Sequence, residues 1–100
     1  MNSDISKQKA IMALRSNPGI RVIDVRSADE YRRGHISGSI NMPLSSLQTM
    51  IKQISNKSTP IFVCCQSGSR SSQAKKTLTA MGYTNVVNIG GLSGWKLTGR

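Results

Sequence analysis

Short apolar runs rich in β-branched residues alternate along this chain with segments of helical periodicity. The apolar runs cover residues 20–25, 61–64 and 85–89, and the helical patterns cover residues 4–16, 45–54 and 71–81. Strands that alternate with helices predict parallel pairing, because parallel strands need a long crossover between them. We therefore predict an α/β fold with a central, mostly parallel sheet that is covered by helices on both faces.

The remaining segments complete this pattern. Ser27 and Glu30 form a capping box that starts a short helix, and Gly34 ends it. Residues 35–43 are predicted to be a loop around a short strand, and Gly90-Gly91 is predicted to turn into a final short helix that carries Trp95 as a core anchor. One hundred residues are enough for one small domain, which we expect to span residues 1–100.

The segment Cys65-Gln66-Ser67-Gly68-Ser69-Arg70 joins a buried strand to a helix. The thiol therefore lies at a helix N-terminus, where unpaired N–H groups and the helix dipole favour an anion. That field and the nearby Arg70 predict a lowered pKa for the Cys65 thiol. Gly68 allows a positive φ or the close approach of a ligand to the backbone, and successive N–H groups could then point inward. We interpret the loop as a nucleophilic thiolate inside an anion-binding cup.

The net charge of +10 is unevenly distributed. Residues 1–50 contain seven Lys or Arg and four Asp or Glu, whereas residues 51–100 contain seven Lys or Arg and no acid. The half that holds the cysteine loop is thus the more basic, which attracts small anions and acidic proteins. The cations are scattered and no aromatic stacking platform accompanies them, so we expect no nucleic-acid binding.

The two cysteines, Cys64 and Cys65, are adjacent and cannot join distant parts of a fold. With one histidine and no CxxC pair, we expect no metal site. Two reduced thiols fit a reducing compartment, and neither a signal sequence nor a stretch of membrane-spanning length is present. These features predict a cytoplasmic protein without membrane contact, and we expect a monomer.

Three side chains receive structural interpretations. Glu30 is assigned to the capping box rather than to acid catalysis. His35, the one histidine of the sequence, could serve catalysis, but it follows a helix-ending glycine, so we expect it to hydrogen-bond backbone and fix its loop. Cys64 points to the opposite side of the strand from Cys65 and is predicted to belong to the core.

The cysteine loop is similar to the active-site loop of rhodanese domains, the sulfurtransferases. Three other segments resemble motifs of that family in the same order along the chain: Val22–Arg26, Gly34–Pro43, and Gly90-Gly91 followed by Trp95. In the second of these, Ser37 lies where proline is common. The resemblance covers residue 20 to the end of the sequence and is to the single-domain members of the family.

The resemblance implies that Cys65 is the nucleophile. Its thiolate would attack the outer sulfur of thiosulfate, or of another small anionic or persulfide donor, and release sulfite. The Cys65 persulfide would then pass its sulfur to cyanide or a thiol, with no cofactor needed, while Asp24 supports the loop. The substrate-binding residues would be those that follow the nucleophile: Gln66, Ser67, Gly68, Ser69 and Arg70.

Two alternative functions stay open. The chain could be a sulfur carrier or protein-interaction module that serves an acceptor protein, as the basic second half suggests. It could also be a small cysteine phosphatase or arsenate reductase. Related enzymes of that kind have one residue more between the cysteine and the arginine. The four residues between Cys65 and Arg70 make a smaller cup, which favours a persulfide sulfur over a phosphate.

Overall fold

The structure is a computed structural model that describes residues 3–99. Within that range, helices and strands alternate as the sequence predicts. The helices are α1 (Lys7–Ser16), α2 (Ala28–Arg32), α3 (Leu47–Met50) and α4 (Ser69–Ala80). The strands are β1 (Arg21–Asp24), β2 (Ile40–Asn41), β3 (Ile61–Cys65) and β4 (Val86–Gly91).

The strands form one parallel sheet in the order β2-β1-β3-β4. The register pairs Asp24 with Cys64 across β1 and β3, and Cys65 with Gly91 across β3 and β4. All four strands therefore end at the same edge of the sheet, where parallel α/β folds bind their ligands. The predicted parallel sheet is confirmed.

Helices cover both faces of the sheet, because successive side chains of each strand point to opposite sides. On one face Ile23, Val63 and Cys65 pack with α3 and α4, which contribute Leu47 and Leu78. On the other face Val22, Phe62 and Cys64 pack with Ala10 of α1 and with Trp95. This arrangement places the two adjacent cysteines in two different hydrophobic cores.

Side-chain caps start α1 and α2, and only the cap of α2 was predicted. The Ser6 hydroxyl accepts the Lys9 N–H and starts α1, which is shorter than the predicted helix over residues 4–16. Ser27 and Glu30 form a complete capping box at α2. Asp4 lies before α1 and is tied to β4, because its N–H donates to the Asn88 carbonyl at 2.7 Å and its carboxylate accepts the Asn88 N–H at 2.8 Å.

The helix predicted over residues 45–54 is interrupted. It consists of the single α-helical turn α3 between two 3₁₀ segments, Leu44–Ser46 and Ile51–Gln53. The Tyr83 hydroxyl contacts the carbonyl oxygens of Ile51 and Ile54 at 3.0 and 2.6 Å, so the end of the segment is anchored by a distant side chain.

The prediction of a final short helix around Trp95 is wrong. Residues 92–97 make a turn and then continue without helical structure. Gly94 adopts a φ of +83°, which breaks a right-handed helix, and Thr98 pairs with His35 through backbone hydrogen bonds of 2.7 and 2.8 Å. Trp95 still packs against the core, as predicted. None of the helices between residues 3 and 99 combines the length and hydropathy that a membrane crossing requires.

Candidate active site

The cysteine loop connects β3 directly to α4. Cys65 is the last residue of the strand, and α4 begins at Ser69, two residues earlier than the helical pattern indicates. Gly68 is the N-cap with a φ of +100°, so the predicted left-handed conformation is confirmed. Gln66, Ser67 and Ser69 are exposed, whereas Cys65 and Gly68 are buried. The thiol thus lies beneath its own loop at the start of the helix.

Three groups of the chain surround the Cys65 sulfur. The Gly68 N–H donates to Sγ at 2.9 Å, and the Ser71 N–H donates at 3.3 Å. The Ser71 hydroxyl lies 3.4 Å from Sγ and donates to the Gly68 carbonyl oxygen at 3.0 Å. The loop and the first turn of α4 therefore form a cup of donors around one sulfur atom.

These donors determine the protonation of Cys65. Burial by itself raises the pKa of the thiol, but a hydrogen bond with the Ser71 side chain and hydrogen bonds from the N–H groups of Ser71, Gly68 and Ser67 outweigh it. The net effect lowers the pKa of Cys65 below the ordinary value for a thiol. The predicted direction of the shift is confirmed, although hydrogen bonds to the thiolate carry it rather than the charge of Arg70.

Cys64 has the opposite environment. It is completely buried in the core beneath α1, and burial, followed by the nearby Asp24 carboxylate, raises the pKa of its thiol. The assignment of Cys64 to the core is confirmed. The two neighbouring thiols are therefore chemically distinct, and only Cys65 is held in a thiolate-stabilising cup.

Arg70 is anchored to a different element. Its guanidinium donates to the two carboxylate oxygens of Glu30 at 2.7 and 2.9 Å. The hydrogen bonds from Arg70, and then the Ser27 N–H, lower the pKa of Glu30 to about 2. Glu30 has the expected structural role in the capping box. Its second interaction, the ion pair with Arg70, joins α2 to the first turn of α4. The sequence analysis missed this bond.

The carboxylate of Asp24 is paired with Arg26. Its hydrogen bonds among residues 3–99 go to the N–H and guanidinium of Arg26 at 2.7–3.1 Å, and the loop support expected of Asp24 stays a prediction. Asp24 is the register partner of Cys64 and shares its side of the sheet, whereas Cys65 faces the other side. Arg26 also donates to the Gly34 carbonyl oxygen at 2.7 Å, so the buried pair fixes the end of α2.

His35 also has the expected structural role. It is buried, its Nδ1 lies 2.7 Å from the Tyr31 carbonyl oxygen, and its ring stacks on Tyr31 with a centroid separation of 3.7 Å. Its backbone pairs with Thr98. These contacts explain His35 as a residue that fixes its loop.

Gly91 contacts the cysteine loop from the neighbouring strand. A Cβ atom on Gly91 would lie 2.5 Å from the Gln66 carbonyl oxygen and 3.1 Å from the Ser67 Cα. Only glycine therefore allows β4 and the loop to approach this closely. The sequence analysis identified Gly91 as part of a turn and missed this contact.

Ser71 is a further site residue that the sequence analysis missed. A signal for it was present, because Ser71, Ala74 and Leu78 follow one another at helical spacing and form the buried face of α4. A hydroxyl at the start of that face must lie next to the end of the preceding strand. Within residues 3–99, no three His, Cys, Asp or Glu side chains lie close enough together to share a metal ion.

A groove of about 410 Å³ lies beside the cup. It is bordered by the segment before α1, by the cysteine loop and by the residues that follow β4, including Lys7, Gln66, Ser67, Ser93 and Trp95. The site therefore consists of a buried thiol and an adjoining open groove at the carboxyl edge of the sheet.

Comparison with known proteins agrees with this geometry. The sequence profile of the rhodanese-like domain matches residues 7–98. The chain is 42% identical over 71 residues to the thiosulfate sulfurtransferase PspE of Escherichia coli. The aligned segment covers 70% of this chain and 68% of that protein. It is 29% identical over 86 residues to the putative sulfur carrier protein YrkF of Bacillus subtilis, covering 86% of this chain and 46% of that one.

A solved structure shows the same fold. The structure described as a rhodanese with anions from Escherichia coli superimposes with a TM-score of 0.73 at 35% identity, over 79% of this chain and 96% of that one.

Proposed function

The chain belongs to the family of rhodanese-like domains, and on that premise we propose that it is a sulfurtransferase which takes the outer sulfur of thiosulfate onto Cys65. The observation that carries the proposal is the cup of N–H donors around Cys65 Sγ. Similarity to a thiosulfate sulfurtransferase supports thiosulfate as the sulfur donor. We also propose that residues 1–100 act as one domain and that its free thiols work in the cytoplasm.

In the first half-reaction the Cys65 thiolate attacks the outer sulfur of thiosulfate. A bond forms between Sγ and that sulfur while the original S–S bond breaks, and sulfite leaves with the bonding electron pair. The lowered pKa of Cys65 increases the fraction of thiolate at neutral pH. The exposed loop residues Gln66, Ser67 and Ser69 border the bound thiosulfate, and their N–H groups favour its negative charge.

In the second half-reaction an acceptor attacks the outer sulfur of the Cys65 persulfide. The bond between Sγ and the outer sulfur breaks, and Cys65 returns as a thiolate. The N–H groups of Gly68 and Ser71 stabilise this leaving group, because they already point at Sγ. Arg70 holds the loop against α2 through its ion pair with Glu30. This contact keeps the N–H groups that point at Sγ in place.

The intact mass of the protein tests the proposal. Incubation of the reduced protein with thiosulfate is expected to add one sulfur atom and release one sulfite, and cyanide is expected to remove that atom as thiocyanate. Cys65→Ser should abolish the gain. Cys64→Ser is the matched control and should keep it, because Cys64 lies on the other face of the sheet with a raised pKa. Loss of the gain in Cys64→Ser alone would contradict the assignment.

A sulfur-carrier function is the second candidate. It is favoured by the similarity to a putative sulfur carrier protein and by the net charge of +10, which suits an acidic partner. Persulfide-dependent binding of an acidic acceptor protein, lost at high salt, would support it. Turnover with small molecules that is insensitive to salt and partner would favour the enzyme. A rate on aryl phosphates or arsenate that depends on Cys65 would favour the phosphatase or reductase alternative instead.

A further inference from the structure

The groove beside the cup contains a cation, Lys7, that no acidic side chain among the described residues neutralises. The four acidic residues of the chain each pair with a basic residue: Asp4 with Lys75, Asp24 with Arg26, Asp29 with Arg32, and Glu30 with Arg70. Lys7, which borders the groove, has no acidic partner within residues 3–99. The groove therefore presents one positive charge that the described part of the chain does not neutralise.

The position of Lys7 is defined by the turn after β4. Its Nζ lies 3.4 Å from the Gly94 carbonyl oxygen, and a Cβ atom on Gly94 would come within 2.3 Å of Nζ. The absence of a side chain at Gly94 thus makes room for the ammonium group. Asp4 ties the segment before α1 to β4 and Lys75, so the first turn of α1 is fixed beside the groove.

The groove is larger than the sulfur donor requires. A volume of about 410 Å³ lies in the range of sites for small organic ligands, and a molecule as small as thiosulfate fills only part of it. The walls offer the hydroxyl of Ser93, the half-buried ring of Trp95 and the exposed loop residues next to Cys65. A ligand that reaches from the cup to Lys7 would have an organic body and a negative charge.

We propose that this groove binds the sulfur acceptor, that the acceptor is a small thiol bearing a carboxylate, and that Lys7 is the residue that recognises the carboxylate. The inference rests on the proposed sulfur transfer. The acceptor thiolate attacks the outer sulfur of the Cys65 persulfide, the bond to Sγ breaks, and the acceptor leaves as a persulfide. A single ammonium group matches a single carboxylate, which makes Lys7 a specificity-determining residue.

The test measures the discharge of sulfur from Cys65 by three thiols of different charge. Cys65 is loaded from a polysulfide solution, so that the measurement does not depend on thiosulfate. Loss of the persulfide is then followed by intact mass with 3-mercaptopropionate, 2-mercaptoethanol or cysteamine. Dividing the rate constant of the wild type by that of a variant, for the same thiol, cancels the intrinsic reactivity of the thiol.

Lys7→Gln should slow discharge by 3-mercaptopropionate about three- to fivefold, the effect of one partly exposed ion pair. It should leave 2-mercaptoethanol unchanged and should not slow cysteamine. Lys7→Glu should reverse the preference, so that cysteamine gains over 3-mercaptopropionate. Lys9→Gln is the matched control, because Lys9 is an exposed lysine of the same helix that does not border the groove.

Equal losses for all three thiols in Lys7→Gln would overturn the inference, and so would the same discrimination in Lys9→Gln, which would indicate long-range attraction only. Failure of thiosulfate to load the wild-type protein would contradict the proposed function instead. The two failures are therefore distinguishable.

Discussion

Cys64 and Cys65 are adjacent in the chain and both are completely buried, but the pKa values of their thiols are shifted in opposite directions. Burial alone would raise both. Cys65 differs because donors from Gly68 and Ser71 point at its sulfur, whereas Cys64 faces apolar side chains and a carboxylate. Reactivity at the residue scale thus follows from the hydrogen bonds to each sulfur.

Ser71→Ala should raise the pKa of Cys65, because it removes the hydroxyl that favours the thiolate. A hydrogen bond to a charged group contributes about 1.5 kcal/mol or more, so its loss is large enough to measure. The pH profile of alkylation by iodoacetamide measures the shift, and the profile should move to higher pH. Ser71→Thr should restore it, since threonine keeps the hydroxyl.

Ser72→Ala is the control for this prediction. Ser72 lies on the same helical turn, and none of its described hydrogen bonds goes to Sγ. If Ser71→Ala leaves the profile of Cys65 where it is in the wild type, the hydroxyl does not act on the thiolate.

At the scale of secondary-structure elements, the cup depends on neighbours of β3 and α4. β4 approaches the loop at Gly91, and α2 holds the first turn of α4 through the pair of Glu30 and Arg70. Neither contact is local in sequence. The geometry of the loop is therefore maintained from two sides by elements that contribute no group to Sγ.

Gly91→Ala should displace the loop, because the added methyl group would overlap the Gln66 carbonyl oxygen. Gly91 does not have a positive φ, so the substitution introduces the clash without backbone strain. We expect at least a tenfold slower sulfur loading from thiosulfate and a raised pKa of Cys65, measured by intact mass and by the alkylation profile.

Gly99→Ala provides the comparison, since its Cβ would meet only the Arg32 carbonyl oxygen at an ordinary 3.8 Å. A Gly91→Ala protein that loads sulfur as fast as Gly99→Ala would show that the close approach has no role in positioning the loop.

At the scale of the whole molecule, the residues that stabilise the fold and those that control the reactivity of Cys65 lie on opposite sides of the sheet. The buried pair of Asp24 and Arg26 lies on the side of Cys64 and α1, and it fixes the chain at the end of α2 through the Gly34 carbonyl oxygen. The thiolate cup lies on the side of α3 and α4. Changes to the pair should therefore affect folding without changing the chemistry of Cys65.

Asp24→Asn should destabilise the fold by about 3–5 kcal/mol, because it leaves the buried Arg26 without a countercharge. Urea unfolding measures this loss. Asp29→Asn removes a carboxylate from an exposed pair and should cost less than about 1 kcal/mol. The alkylation profile of Cys65 should be the same in both variants and the wild type. A shift confined to Asp24→Asn would support the predicted role of Asp24 in supporting the loop.

Local patterns predict much of this fold. Apolar runs, helical periodicity and the caps at Ser27 and Gly68 indicate the order of the elements, since each depends on neighbouring residues alone. They also place Cys65 between a strand end and a helix start, and Cys64 on the opposite face. The prediction failed at Trp95, where Gly94 and the pairing of Thr98 with His35 override the local pattern.

Local sequence patterns are enough to indicate the parallel α/β architecture, the left-handed glycine of the loop and which cysteine lies at the strand end. The tertiary packing then settles which side chains from separate elements meet. It paired Arg70 with Glu30 and Asp24 with Arg26, and it placed Lys7 in the groove beside the cup. Periodicity specifies the face on which a side chain lies, but the partner on that face depends on how distant elements pack.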